Sequence, residues 1–534
     1  MPDHCIPFRE TGYFSPLICD YLDELPSVKP LYDKFPTVDN FKTQISEKGK
    51  SFPKATRKTL VSVLKRQYQG VELSNETASH IGLLEQDNTF TVTTGHQLNL
   101  FTGPLYFLYK IVSTINLCNE LSENYPDSNF VPIYWMATED HDFEEINHFN
   151  FKRRKIQWNQ TSGGAVGALT TDGINAVYEE FSQLLGDSKN AKSLKALFSQ
   201  AYLNHDNLTD ATRYLANALF GSYGLVILDG HDKELKSLFV TYMKEELLHN
   251  TSSSYVEETN KNINSIPDKK YRLQVNPREI NLFYLKDNLR ERIISRDGSF
   301  YVNNTALVFS EEELIEELHN NPQHFSPNVI LRPLYQEVVL PNLCYIGGGG
   351  ELAYWLQLKS FFKSQQMLFP ILLFRNSALL ISQKQFDKIE KLDLALKEMF
   401  LPKHELEAVI TKRVSEIDID FSAQKEHLKD QFKQLYDLAK KTDKSFVGAV
   451  AAQEQKQLKG IAHLEKRLLK AQKRKLSDFV GRATALQEEL FPNGGLQERT
   501  HNFSEWYLAY GERLLPMLFK ELQPLNGGFL VIVL

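Results

Sequence analysis

The sequence predicts an α/β protein in which a parallel-sheet core carries insertions and is followed by a long helical coiled-coil segment. Three observations carry this expectation. The strand-like "TFTVT" and the short apolar runs "VPIYWMA" and "GLVILDG" each end in a polar or glycine-bearing stretch, as parallel strands do. Between the first two lies a segment with apolar residues at helical spacing. From about residue 383 to 490 the chain is rich in Lys, Glu, Gln and Leu, and Pro402 is its one proline.

Residues 1–85 are expected to be mainly helical. In "TRKTLVSVLKRQYQGV", Leu60, Val63, Leu64 and Tyr68 share one helix face. Residues 86–150 begin the core, with a strand at Thr89–Thr93, a glycine-bearing loop, and a helix marked by Tyr106, Tyr109, Ile111, Ile115 and Leu117. Val131–Ala137 is the next strand, which completes a βαβ unit. Residues 151–220 read as a mainly helical insertion, and 221–245 as a further core strand and helix. Residues 246–325 read as a second insertion of β-hairpins turning at Asp287-Asn288 and Asp297-Gly298. Residues 326–382 return to the core: a strand runs into Gly347–Gly350, a helix starts near Glu351, and "FPILLFRNSALLI" adds one more strand. Residues 383–490 form the helical arm. Its seams fall at Phe421, Leu428, Leu435 and Leu438, and at Ile461, Leu464, Leu468 and Ala471, with "FVGAVAAQ" between them at a reversal or tip. Residues 491–534 are expected to return to the core, with "GGFLVIVL" rejoining the sheet.

A chain of 534 residues, 42% hydrophobic and 24% charged, has the composition of a globular protein with several structural units. Its net charge of −6 offers no basic excess, so nucleic acid is not expected as a partner. No apolar run approaches the ~20 residues that span a bilayer, so no membrane is expected either. The opening "MPDHCIPFRETGYF" lacks the pattern of a signal peptide, and a cytoplasmic protein is expected. Cys5, Cys19, Cys118 and Cys344 show neither CxxC nor zinc-ligand spacing, as reduced thiols would.

Three segments place chemistry at strand ends. In "TTGHQLNLFTGPLYFLYK", Gly95 follows a strand and Gly103-Pro104 opens a helix, where free N–H groups favour an anion. His96, Gln97 and Thr102 add donors there, and Lys110 adds a charge; a plain strand-to-helix turn is the structural alternative. In "TEDHDFEEINH", carboxylates and imidazoles begin where a strand stops, the place where parallel sheets bind ligands. His141 and Asp142, with Glu139, could orient an amine, act as a base or hold a divalent cation. The structural alternative is an acidic first turn of a helix. No second His/Cys pair lies at a familiar spacing, so no tightly bound metal is expected. In "SPNVILRPLYQEVVLPNLCYIGGGGELAYW", four glycines allow a ligand close to the backbone, and Arg332 is a candidate clamp for a carboxylate or phosphate. A flexible loop and a surface ion pair are the alternatives.

Together these three segments resemble the bacillithiol biosynthesis cysteine-adding enzyme family, in the same order and over essentially the whole chain. His96 stands where many members carry Gln, and Gly349 where proline is common. The resemblance implies a Rossmann-like core with connecting-peptide insertions, similar to class I aminoacyl-tRNA synthetases, and a coiled coil that supports a homodimer. It implies a ligase that joins the carboxyl of cysteine to the glucosamine amine of glucosaminyl-malate. Carboxyl activation by ATP, with Mg2+ as its counter-ion, is then expected. On this chain the catalytic set would be Glu139, His141 and Asp142. Gln97, Arg332, Gln336, Glu337 and Tyr354 would bind substrate. Gly95, His96, Thr102, Gly103, Lys110, Gly348, Gly349 and Glu351 would bind the nucleotide. The rivals are a non-catalytic synthetase-like scaffold whose coiled coil recruits partners, and a metal-dependent hydrolase built on Glu139, His141 and Asp142.

Overall fold

The computed structural model describes residues 4–267 and 271–534, which divide into two compact units. The first is built mainly from the chain up to Leu379 together with Gln497–Leu530; the second is built mainly from Leu380–Leu496.

The first unit is organised by five parallel strands: β1 (Thr89–His96), β2 (Asn129–Met136), β3 (Val226–Asp229), β4 (Asn342–Gly347) and β5 (Ile371–Phe374). Their order across the sheet is β5-β4-β1-β2-β3, so the chain moves one way from β1 to β3 and the other way from β4 to β5. This is the Rossmann order, and its switch point lies between β1 and β4. Polar groups fix that central pairing. Thr91 and Thr93 donate to Asn342 Oδ1, at 3.3 and 2.8 Å, and Thr94 donates to the Ile346 carbonyl. The sheet is apolar elsewhere: Phe90, Val92, Phe130, Ile346 and Leu373 form one core cluster with Phe41, Leu117 and Leu121. Leu117 and Leu121 come from helix α1 (Tyr106–Asn124), which crosses from β1 to β2.

The expected hairpins occur as Leu282–Lys286, Leu289–Arg296 and Ser299–Val302, paired antiparallel. Their turn residues Asn288, Asp297 and Gly298 have positive φ, the backbone such turns require. Three expectations change. Strand β1 runs to His96 rather than ending at Thr93, because its ladder with β2 continues to His96↔Met136. "FPILLFRNSALLI" makes two strands, β5 and Ser377–Ile381, since Arg375 and Asn376 turn away to meet Glu498 and Ser113. The C-terminal strand Phe529–Val533 does not join the parallel sheet; Phe529 and Leu530 pair antiparallel with Ile6 and Cys5.

The loop between β1 and α1 is held rigidly from outside. Asn502 Nδ2 donates to the carbonyls of Phe101 and Gly103, at 2.8 and 2.6 Å. Gly103 has φ +62°, and a Cβ there would lie 2.7 Å from the Asn99 Cβ. Gly103→Val is therefore expected to lower stability by about 2–4 kcal/mol, through backbone strain and steric overlap. A chemical-denaturation midpoint equal to that of the wild type would refute this.

In the second unit, α4 (Ser422–Ala439) and α5 (Lys444–Lys475) form an antiparallel hairpin. Its core is Leu428, Phe432, Ala439 and Val450, flanked by Tyr436, Val447, Leu458 and Ile461. The buried face of the hairpin includes two of the eight expected seam residues. Leu428 and Ile461 belong to it, whereas Leu435, Leu438 and Leu464 are 43%, 55% and 56% exposed. The two helices pack at the straight-helix spacing of three and four residues, so a strict seven-residue projection from Phe421 drifts off the buried face. The reversal falls at residues 440–443, and "FVGAVAAQ" lies inside the first turns of α5.

Candidate functional site

The carboxyl ends of β1, β2, β4 and β5 open onto one cavity of about 520 Å³. Each strand end supplies a side chain or backbone to it. Gly95 and His96 end β1 and Gln97 follows it, Asp140 follows β2, Gly348–Glu351 follow β4, and Arg375 follows β5. Helix α2 (Leu331–Val339) brings Arg332 and Gln336, and the late segment brings Arg499.

Lys110 and Arg375 bring positive charge to the cavity, each against a carboxylate. Lys110 Nζ lies 2.6 Å from Glu351 Oε2 and donates to the Gly95 carbonyl at 2.7 Å. Burial pushes the lysine's pKa down, opposed by the carboxylate beside it. Burial would push Glu351 up, yet Lys110, the Gly348 N–H and the Tyr345 hydroxyl hold it below the usual range. Gly348 caps helix α3 (Gly349–Trp355) by donating to Glu351 at 2.9 Å. The glycine run therefore divides differently from the expected loop: Gly347 ends β4, while Gly349 and Gly350 begin α3. Arg375 is clamped by Glu498 through both Nη atoms, at 3.1 and 2.8 Å, and its guanidinium lies over the Tyr106 ring. Among the described residues its Nε is buried without a partner, as is His96 Nε2. Burial, then Lys110 and Arg375, push the His96 pKa well down, so its imidazole is neutral.

Asp140 and Glu145 bring carboxylates to the same cavity. Gln97 Nε2 donates to Asp140 at 3.0 Å and to Glu145 at 2.9 Å, bridging two carboxylates that both line the cavity. Burial would raise the Asp140 pKa, but Arg332, Gln97 and the His141 N–H outweigh it, and Asp140 is ionised.

The acidic loop thus fans out in several directions. Glu139 turns away from the large cavity. It meets Lys236 at 2.7 Å and His231 at 2.9 Å, and accepts from Ser326 at 3.0 Å. His141 is exposed and its Nδ1 accepts from Arg290 at 2.9 Å. Asp142 is exposed and caps the four-residue helix Phe143–Ile146, accepting from the Glu145 N–H. None of these three lines the cavity. Among the described residues, no three His, Cys, Asp or Glu side chains come together in a metal-holding group.

Of the other expected residues, Gly95, His96, Gln97, Lys110, Arg332, Gln336, Gly348, Gly349, Glu351 and Tyr354 all line the cavity. Thr102 and Gly103 lie in the rigid loop outside it, and Glu337 is a buried anchor. Glu337 meets Lys48 at 3.1 Å and accepts from Asn342 at 2.6 Å, which ties α2 to the β1–β4 register. Sequence reasoning missed Asp140 and Glu145 as cavity residues, and Arg375, Arg499 and Glu498 altogether. A signal for Arg375 was present: "ILLFRN" is another apolar run that ends in charge.

The model of the bacillithiol biosynthesis BshC N-terminal Rossmann-like domain matches residues 1–376, and that of the BshC C-terminal coiled-coil domain matches residues 378–534. The chain belongs to the bacillithiol biosynthesis BshC family. Among its relatives, the protein named "Putative cysteine ligase BshC" in Flavobacterium johnsoniae is 57% identical over the full length of both chains. Its namesake in Christiangramia forsetii is 56% identical over 100% of this chain and 99% of its own. That of Cytophaga hutchinsonii is 37% identical over 97% and 96%. The two BshC domain models meet within three residues of the division between the compact units at Leu379 and Leu380. Among the described residues, no helix is long and apolar enough to cross a membrane.

Proposed function

We propose that the chain is a ligase that joins the carboxyl group of cysteine to the glucosamine amine of glucosaminyl-malate. The observation that carries this reading is a strand-end cavity that gathers Lys110, Arg332, Arg375 and Arg499 together with the carboxylates of Asp140, Glu145 and Glu351. An acyl donor activated through phosphate is anionic, and the amine that attacks it starts as a cation.

ATP would supply the activation, because a free carboxylate does not acylate an amine at a useful rate. The residues present suit a polyphosphate. Arg375, Arg499 and Lys110 offer positive charge, and the buried Arg375 Nε lacks a protein partner. Mg2+ would arrive as the nucleotide's counter-ion. Glu498 fixes the Arg375 guanidinium, so its orientation is set before a ligand enters.

Ionised Asp140 takes up the charge of the acceptor ammonium, and Gln97 holds the Asp140 and Glu145 carboxylates together. The ammonium first gives one proton to water through Glu145 at the rim; the freed amine then attacks the acyl carbon, its second proton passes to the carboxylate pair, and the phosphate-bearing oxygen departs with the bond electrons. The low pKa of Asp140 suits it to hold the amine, and Glu145, at the exposed rim, can pass the proton to water. The test is to incubate the purified chain with cysteine, glucosaminyl-malate and Mg-ATP and follow the products by mass spectrometry. Cysteinyl-glucosaminyl-malate formed with nucleotide hydrolysis supports the reading; intact substrates overturn it. Accumulation of glucosaminyl-malate in a deletion strain is the matching result in cells.

We also propose that the helical arm supports a homodimer. Helix α5 runs for 32 residues with Val450 as its one buried side chain, and Leu435, Leu438, Phe446 and Leu464 are exposed on the hairpin. Light scattering is expected to give the mass of two chains, falling to one in Leu435→Lys/Leu464→Lys. A wild-type monomer would refute it.

A further inference from the structure

A second cavity, of about 320 Å³, adjoins the first and shares Asp140, Val275, Val329 and Arg332 with it. Its walls carry three arginines, Arg278, Arg290 and Arg332, against the single carboxylate of Asp140. Among the described residues none of these arginines has a carboxylate at ion-pair distance.

Two of the three are fixed in place. The Arg290 guanidinium stacks 4.0 Å above the Phe283 ring, and its Nε donates to Ser326 Oγ at 3.3 Å. Its Nη1 lies 2.9 Å from His141 Nδ1 and donates to it. His141 is thereby a positioning residue for Arg290. Arg332 projects from the first turn of α2, and burial of its charge is offset by Tyr354 and Asp140 nearby. Arg278 is exposed. Planar guanidinium forks match carboxylates two bonds at a time, and three of them beside one carboxylate leave room for a compact dianion.

We propose that this annex binds the dicarboxylate end of the acceptor substrate, and that Arg278 and Arg290 set the enzyme's preference for an acceptor carrying it. This rests on the ligase reading for the identity of the acceptor. Asp140 stands at the junction of the two cavities, so an acceptor anchored by its dicarboxylate in the annex presents its amine to Asp140 and to the donor in the larger cavity. The nucleotide's phosphates are the other source of such an anion. They have Lys110, Arg375 and Arg499 in the larger cavity, none of which lines the annex.

The experiment uses the full chain with Arg278→Ala and Arg290→Lys. Arg278 is exposed, so its removal does not threaten the fold. Steady-state assays are expected to show the KM for glucosaminyl-malate raised at least tenfold in each variant, with the KM for cysteine and for ATP within twofold of wild type. Calorimetry with glucosaminyl-malate and with methyl glucosaminide, which lacks malate, is expected to show a wild-type preference of at least tenfold for the former that both variants lose. A raised KM for ATP with an unchanged KM for the acceptor would assign the annex to phosphates and overturn the proposal. Unchanged values throughout would also overturn it. If the chain forms no amide product, an arginine-dependent preference in calorimetry sustains the annex while the ligase reading falls. Product formation with unaltered acceptor KM in both variants sustains the ligase and removes the annex.

Discussion

Asp140→Asn is expected to lower kcat/KM for amide formation at least about 100-fold, while Asp142→Asn stays within about threefold of wild type. The two residues are two positions apart and chemically identical, so the contrast isolates geometry. Asp140 lines the strand-end cavity, accepts from Gln97 and faces Arg332. Asparagine preserves its shape but removes the negative charge that would meet the acceptor ammonium. Asp142 points to solvent and caps a helix of four residues, and asparagine caps a helix as well as aspartate does. Steady-state kinetics with denaturation as a folding control decides the matter. A large loss at Asp142 with little change at Asp140 would return the catalytic role to the outer part of the loop and displace the cavity assignment.

The sequence made the strands legible, because apolar runs ending in charge or glycine survive without any knowledge of neighbours. It also located the three loops that surround the cavity, since a parallel sheet gathers its strand ends on one edge. Within the acidic loop the sequence does not tell which side chains line the cavity, for a physical reason. Residues 137–142 have no regular secondary structure, so neither a period of two nor one of 3.6 tells which side chains point inward. Glu139 is turned aside by His231 and Ser326, which lie 92 and 187 residues further along the chain. Glu337 is similar: its partner Lys48 comes from 289 residues away. Arg375 escaped notice because "FPILLFRNSALLI" reads as one continuous strand unless the buried Glu498, 123 residues later, is known to draw it out of the ladder. In the arm, helical character followed from composition, but the buried face depends on where the partner helix begins. That point is the turn at residues 440–443, which no seven-residue projection supplies.

Glu139→Gln is expected to destabilise the protein by about 3–5 kcal/mol, the largest stability effect of any change in the acidic loop. Lys236 is fully buried, donates to the Phe325 carbonyl at 2.8 Å and lies over the Tyr335 ring, so it cannot reach water when its carboxylate is removed. The glutamine leaves that ammonium charged and unpaired in a desolvated place. A double variant, Glu139→Gln/Lys236→Met, removes both charges and is expected to recover much of the loss. The same pair sets a pH dependence. Burial alone would raise the Glu139 pKa, but Lys236 and His231 bring it down to about 2. An unfolded glutamate titrates near ~4.3, so the carboxylate's contribution to stability is complete above that pH. It declines as pH falls from there toward the folded value. Burial pushes the Lys236 pKa down, which offsets part of the gain near neutrality and leaves the acid limb to Glu139. Urea denaturation between pH 6 and pH 3 is therefore expected to show a steeper loss of stability in the wild type than in Glu139→Gln. Parallel curves for the two proteins, or a neutral-pH loss below about 1 kcal/mol, would mean that Glu139 is not an anchor, and the residue would return to the list of candidates for chemistry.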